Sequence, residues 1–79
     1  MDIVKGSIVR ALAGRDKGGF FVVLGVEGPF AYIADGRRRK VQIPKKKKLI
    51  HLSPTTTVYE GSCETNPQIR KILRTFNGG

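Results

Sequence analysis

Five consecutive apolar residues, Phe20 to Leu24, stand between the glycine pair Gly18-Gly19 and Gly25. The run is too short for a buried helix, and its two phenylalanines and two valines favour extended backbone, so it reads as a strand. A strand wetted on one face alternates apolar with polar side chains. This one does not, so it is expected to be central and covered on both faces, or strongly bent. In a chain of 79 residues that strand belongs to one small domain with little stability to spare.

The sequence up to Leu52 divides into short extended runs separated by turn signals, the pattern of a mostly β chain forming a small antiparallel barrel or meander. "SIVRALA", Ser7 to Ala13, is a first strand, Phe20 to Val26 a second, and Phe30 to Ala34 a third after the break at Glu27 to Pro29. Asp35-Gly36 suits the positive φ angles of a two-residue hairpin loop. It is predicted to lead into a fourth strand, Arg38 to Ile43, with Val41 and Ile43 on one face and Arg38, Lys40 and Gln42 on the other. Pro44 should end or bulge that strand before a last one near Leu49 to Leu52.

From Ser53 to Thr65 the composition shifts to Thr, Ser, Gly and Pro, a connector with weak strand tendency around Thr57 to Tyr59. In "NPQIRKILRTF", Asn66 suits an N-cap and Pro67 the first helical position, while Ile69, Ile72, Leu73 and Phe76 recur at helical spacing. Asn77-Gly78-Gly79 should end this short amphipathic helix. Its apolar stripe can cap the open end of a barrel or meet a partner, and a barrel this small needs the extra core. The organisation expected is a barrel over residues 1–54, a connector over 55–65 and a helix over 66–76, all in one domain.

Charge narrows the function. Fifteen Lys and Arg against six Asp and Glu leave a formal charge of +9. Eight of those cations, Arg37, Arg38, Arg39, Lys40, Lys45, Lys46, Lys47 and Lys48, fall within twelve positions that contain no acid. Such a cluster repels itself unless phosphates or acidic groups neutralise it, so a polyanion is the expected partner, with a solvated face as the alternative. Gly14 and Gly18 bracket a loop that holds Arg15 and Lys17 at its tip, and exposed backbone N–H groups there suit a phosphate. Asp16 is expected to tether the loop through local amides. Gly14 to Gly19 has the glycine spacing of a nucleotide P-loop, but Phe20 and Phe21 stand where lysine and a hydroxyl are needed.

Other classes find little support. The single cysteine, Cys63, allows no internal disulfide and no cysteine-based zinc site, and reads as a partly buried spectator. His51 has no carboxylate or thiol at a recognisable spacing, and the six acids are scattered, so no enzymatic activity, cofactor or small-molecule substrate is expected. The start of the chain lacks a signal-peptide pattern and no stretch of eighteen apolar residues occurs, which points to a cytoplasmic protein without a membrane partner. "PKKKKL" is similar to a nuclear import signal, a composition shared by RNA-binding strands.

"KGSIVRALAGRDKGGFFVVLGV", Lys5 to Val26, resembles a KOW motif, the strand, glycine loop and strand element of ribosomal and transcription proteins. "AYIADGRRRKVQIPKKKKLIHLSPT" and "TNPQIRKIL" extend the likeness to large-subunit ribosomal protein family fourteen of the eukaryotic and archaeal type, and to short bacterial KOW-domain relatives. Where many KOW motifs stay polar or carry another glycine after the loop, this chain has Phe20 and Phe21. The resemblance implies a five-stranded SH3-like barrel with a C-terminal helix that docks structured RNA, ribosomal RNA included, in association with the large ribosomal subunit. Gly14, Arg15, Lys17 and Gly18 match the KOW loop, and the two basic blocks supply further phosphate contacts. Tyr32, just before the basic segment, fits either base stacking or a barrel-core tyrosine with a satisfied hydroxyl. Two rival functions use the same residues differently: a protein-interaction module built on the helix stripe, and a nonspecific nucleic-acid binder.

Overall fold

The computed structural model describes residues 2–76. Five strands, β1 (Ser7–Ala11), β2 (Phe20–Glu27), β3 (Phe30–Ala34), β4 (Lys45–Lys48) and β5 (Leu52–Val58), precede one helix, α1 (Asn66–Leu73). They form a single antiparallel sheet in the order β4-β3-β2-β1-β5. A 3-10 turn, Leu49–His51, carries the chain from one sheet edge to the other. Leu49 N–H donates to Pro29 O (2.9 Å), continuing the β3–β4 pairing, and Leu12 N–H donates to His51 O (2.8 Å), continuing the β1–β5 pairing, so that this one turn joins the two edge strands of a small barrel-like fold. The mostly β architecture with a C-terminal helix is as the sequence predicts.

The apolar run of β2 is central and covered on both sides. Phe21 and Val23 join Val9, Ala11, Ala31, Ile33 and Leu52 in the barrel interior. Val22 faces outward into a second core with Ile8, Ala34, Cys63, Ile69 and Leu73. Both faces are therefore dry, which explains the missing alternation. The register slips between Val23 and Gly25, leaving Leu24 as an extra residue, the kind of bulge that bends a strand.

Helix α1 does not cap the open end of the barrel. Its residues Ile69 and Leu73 lie on the outer face of the sheet, over the cross-strand row Ile8, Val22 and Ala34. Ile72 and Phe76 flank the contact, with the Phe76 ring 5.5 Å from that of Phe20. The N-cap is Thr65, not Asn66. Thr65 Oγ1 accepts from Gln68 N–H (3.4 Å), and Gln68 Oε1 accepts in return from Thr65 N–H (3.1 Å), a reciprocal capping box. The expected terminator Asn77-Gly78-Gly79 lies outside the described residues.

Three strand expectations are corrected. No strand spans Arg38 to Ile43; residues 35–44 form a loop, and "KKKK" itself is β4. Leu49 to His51 is a 3-10 turn, and β5 occupies Leu52–Val58, inside the segment read as a connector. Pro54 is accommodated because β5 is a sheet edge, and Thr55 Oγ1 donates to Ile8 O (2.8 Å) where the β1–β5 register shifts.

Candidate functional site

An antiparallel meander sends alternate connections to the same end of the sheet. The β1–β2 loop, with Gly14 to Gly18, therefore shares an end with the β3–β4 loop, with Arg37 to Lys40. Nothing in the local sequence of either loop gives this juxtaposition, since Gly18 and Arg37 are separated by two whole strands.

Each loop is internally tied. In the first, Lys17 N–H donates to Gly14 O (3.2 Å), Gly18 N–H to Ala11 O (2.8 Å) and Gly19 N–H to Asp16 O (2.9 Å). Gly18 has φ +87° at the third position of that last turn, a type II geometry that suits glycine. Three of the loop's amides are thus spent on its own turns, and the phosphate-cradle role foreseen for them is reduced accordingly.

In the second loop Asp35 Oδ1 accepts from the N–H groups of both Arg37 and Arg39 (2.8 Å each), while Asp35 N–H donates to Arg39 O (2.8 Å). Asn66 Oδ1 takes Val41 N–H (2.8 Å), and Asn66 Nδ2 donates to Gln42 Oε1 (2.9 Å). These side chains capture the amides that a strand ladder would have used, which is why the expected fourth strand does not form there. Gly36 lets the loop pack on the helix: Arg70 Nη1 donates to Gly36 O (2.7 Å), and a Cβ on Gly36 would lie 2.5 Å from Asn66 O.

The two loops are joined by one ion pair. Arg39 Nε and Nη2 meet Asp16 Oδ1 (3.3 Å) and Oδ2 (3.0 Å) as a two-pronged contact, with the Asp16 side chain 4% exposed. Asp16 was expected to serve only local amides; its side chain instead reaches the other loop. On the opposite side, the buried Lys47 donates from Nζ to Ala13 O (2.7 Å) and supports the base of the glycine loop.

The thirteen residues singled out from the sequence therefore separate by environment. Arg15, Lys17, Arg37, Arg38 and Lys40 are exposed, and among the described residues none of them forms a salt bridge. Gly14 and Gly18 shape the loop that carries the first two. Arg39 and Lys47 are committed to holding the loops.

In β4, alternate lysines take opposite faces. Lys46 stands 4.5 Å over the Phe30 ring and 3.8 Å from Glu27. Lys48 is exposed and Lys45 half-buried, paired with Phe30 and Ile33 across the ladder. Tyr32 is half-buried on the outer face, outside the barrel core, and its hydroxyl donates to Glu27 Oε1 (3.2 Å). That placement corrects the barrel-core role foreseen for Tyr32, although its hydroxyl is satisfied as expected.

Among the described residues, no group of His, Cys, Asp and Glu could hold a metal ion, and no helix is long and apolar enough to cross a membrane. Cys63 is buried beneath the helix as a free thiol. Comparison with family models and with curated proteins finds no match to this chain.

Proposed function

We propose that this protein binds structured RNA, ribosomal RNA being the leading candidate, by contacting its phosphate backbone with the basic end of the sheet. The observation that carries the reading is the grouping of Arg15, Lys17, Arg37, Arg38 and Lys40, all exposed and, among the described residues, in no salt bridge, on two adjoining, internally braced loops whose carboxylates Asp16 and Asp35 are turned to Arg39 and to loop amides. Rigidly presented cations suit a ligand whose charges are themselves regularly spaced. The KOW-like stretch and the wider likeness to a large-subunit ribosomal family point the same way, toward a non-enzymatic, cytoplasmic, ribosome-associated protein.

Recognition by shape and backbone fits better than recognition of splayed bases. Stacking needs free aromatic faces. Phe21 is buried, Phe20 packs with Phe76 and Phe30 lies under Lys46, which leaves the half-buried Tyr32 and the exposed Tyr59 as the aromatic faces open to a base, neither of them on the two basic loops. The rival protein-interaction reading has less support, because two residues of the helix stripe, Ile69 and Leu73, are buried against the sheet, while Ile72 and Phe76 are half-buried.

If each of the five exposed loop cations neutralised one phosphate, log affinity would fall against log salt with a slope of about −3.5 to −4.5, the range for single- and double-stranded ligands. Crosslinking in cell extract, followed by sequencing of the attached RNA and sedimentation of the protein, tests the proposal. Crosslinks clustered in one ribosomal RNA region, with co-sedimentation that fades at high salt, are expected. Free sedimentation without RNA enrichment overturns it, and equal affinity for duplex DNA in competition would favour nonspecific binding.

A further inference from the structure

Arg39 is a central arginine of the basic loop, yet its guanidinium is engaged within the protein. Its guanidinium is held in two-pronged contact with Asp16, whose carboxylate is almost wholly buried. Moving Arg39 to a ligand phosphate would leave that carboxylate buried and unpaired, which is strongly disfavoured. The bridge also has a regular setting. Asp16 is buried between exposed Arg15 and Lys17, and half-buried Arg39 lies between exposed Arg38 and Lys40. One ion pair thus anchors two flanking pairs of outward cations.

We infer that Asp16, an acid within a basic face, is a positioning residue for anion binding, and that Arg39 acts with it rather than as a phosphate ligand. This rests on the RNA reading above. The bridge fixes the glycine loop against the basic loop, so that four cations meet the ligand without first being ordered. The consequence runs against simple Coulomb reasoning: removing a negative charge from this face weakens its binding to a polyanion.

The test uses the full chain and a fluorescently labelled RNA stem-loop, titrated at several salt concentrations, with thermal denaturation of every variant alongside. Asp16→Asn is expected to bind about tenfold more weakly, the effect of releasing a preorganised loop. Its salt slope should be shallower by about one to two, at roughly 0.7–0.9 for each lost phosphate contact.

Arg39→Lys keeps the charge but loses the planar fork, and is expected to weaken binding similarly. Arg10→Lys, at an exposed β1 position outside both loops and without the bridge, should bind within about twofold of the parent. If Asp16→Asn does not fold, Arg39→Lys decides the question.

Unchanged or tighter binding by Asp16→Asn with a steeper slope, or by Arg39→Lys with an unchanged slope, overturns the inference and leaves RNA binding standing. Absence of salt-sensitive binding by the parent chain overturns the RNA reading itself.

Discussion

Replacing Gly36 by alanine should damage the fold and the basic loop together. Gly36 has φ +78°, where an L-residue costs about 1–2 kcal/mol. Roughly 0.4–1 kcal/mol of that is offset by the smaller entropy of the unfolded chain. The larger effect is steric: the new Cβ would lie 2.5 Å from Asn66 O and 2.9 Å from Arg70 Cγ, and a backbone carbonyl in the first turn of a helix cannot swing aside. The helix must shift, endangering the Arg70–Gly36 hydrogen bond and the Asn66 contacts to Val41 and Gln42. Loss of the charged bond alone is worth about 1.5–3 kcal/mol, so a total near 3 kcal/mol is expected. For a domain this small that lowers the melting temperature by about 12–24 °C. Gly18→Ala is the matched control, with φ +87° but no atom within 4 Å of its Cβ, and by the same strain and entropy terms should lose only about 0.8 kcal/mol, or about 3–6 °C. Calorimetry of the two variants decides: equal losses would mean that backbone strain alone operates and that the close approach of helix and loop is not present in solution.

Ile69→Ala removes a fully buried side chain from the core between helix and sheet, and should cost about 2–5 kcal/mol by denaturant titration. A variant as stable as the parent would mean that the helix is not seated on β1–β3. Lys40→Gln and Lys47→Met, measured by RNA titration against salt, should part company. The first loses an exposed cation and about 0.7–0.9 of slope with its melting temperature unchanged, whereas the second deprives Ala13 O of a charged donor and should lose about 1.5–3 kcal/mol of stability, read by thermal denaturation.

Much of the architecture was legible in the residues. The uniform apolarity of Phe20 to Leu24 announced a strand covered on both faces, and the helical spacing of Ile69, Ile72, Leu73 and Phe76 announced the element that covers one of them. Thr65 and Gln68 carry the three-residue spacing of a capping box, a stronger signal than the Asn66-Pro67 pair that drew the N-cap one position too late. The fourth strand misled because the alternation of Val41 and Ile43 is a period-two pattern, while the competing partners of that backbone are polar. Asp35 and Asn66 supply acceptors to the amides of residues 37, 39 and 41, and Asn66 comes from the far end of the chain. Local patterning cannot register a competitor so distant in sequence.

The candidate site shows the same division more sharply. Composition alone treats the eight clustered cations as equivalent, and a count of charge would assign all of them to a ligand. Long-range placement separates them: Arg39 faces Asp16, Lys47 faces Ala13 O, Lys46 covers Phe30, while Arg37, Arg38 and Lys40 remain outward. A meander brings alternate loops to one end, but a small barrel has several loop ends and the sequence left open whether these two lie together; the observed strand order makes the β1–β2 and β3–β4 loops neighbours and so gives the lone acid between Arg15 and Lys17 an arginine to meet. Which arginine it would be depends on the turn that Asp35 imposes on residues 35–39. Binding capacity in such a face is therefore set less by how many cations the chain carries than by how few are needed to hold the others in place. A comparable basic segment without an acid in the facing loop should bind phosphate with the same charge but a larger ordering cost.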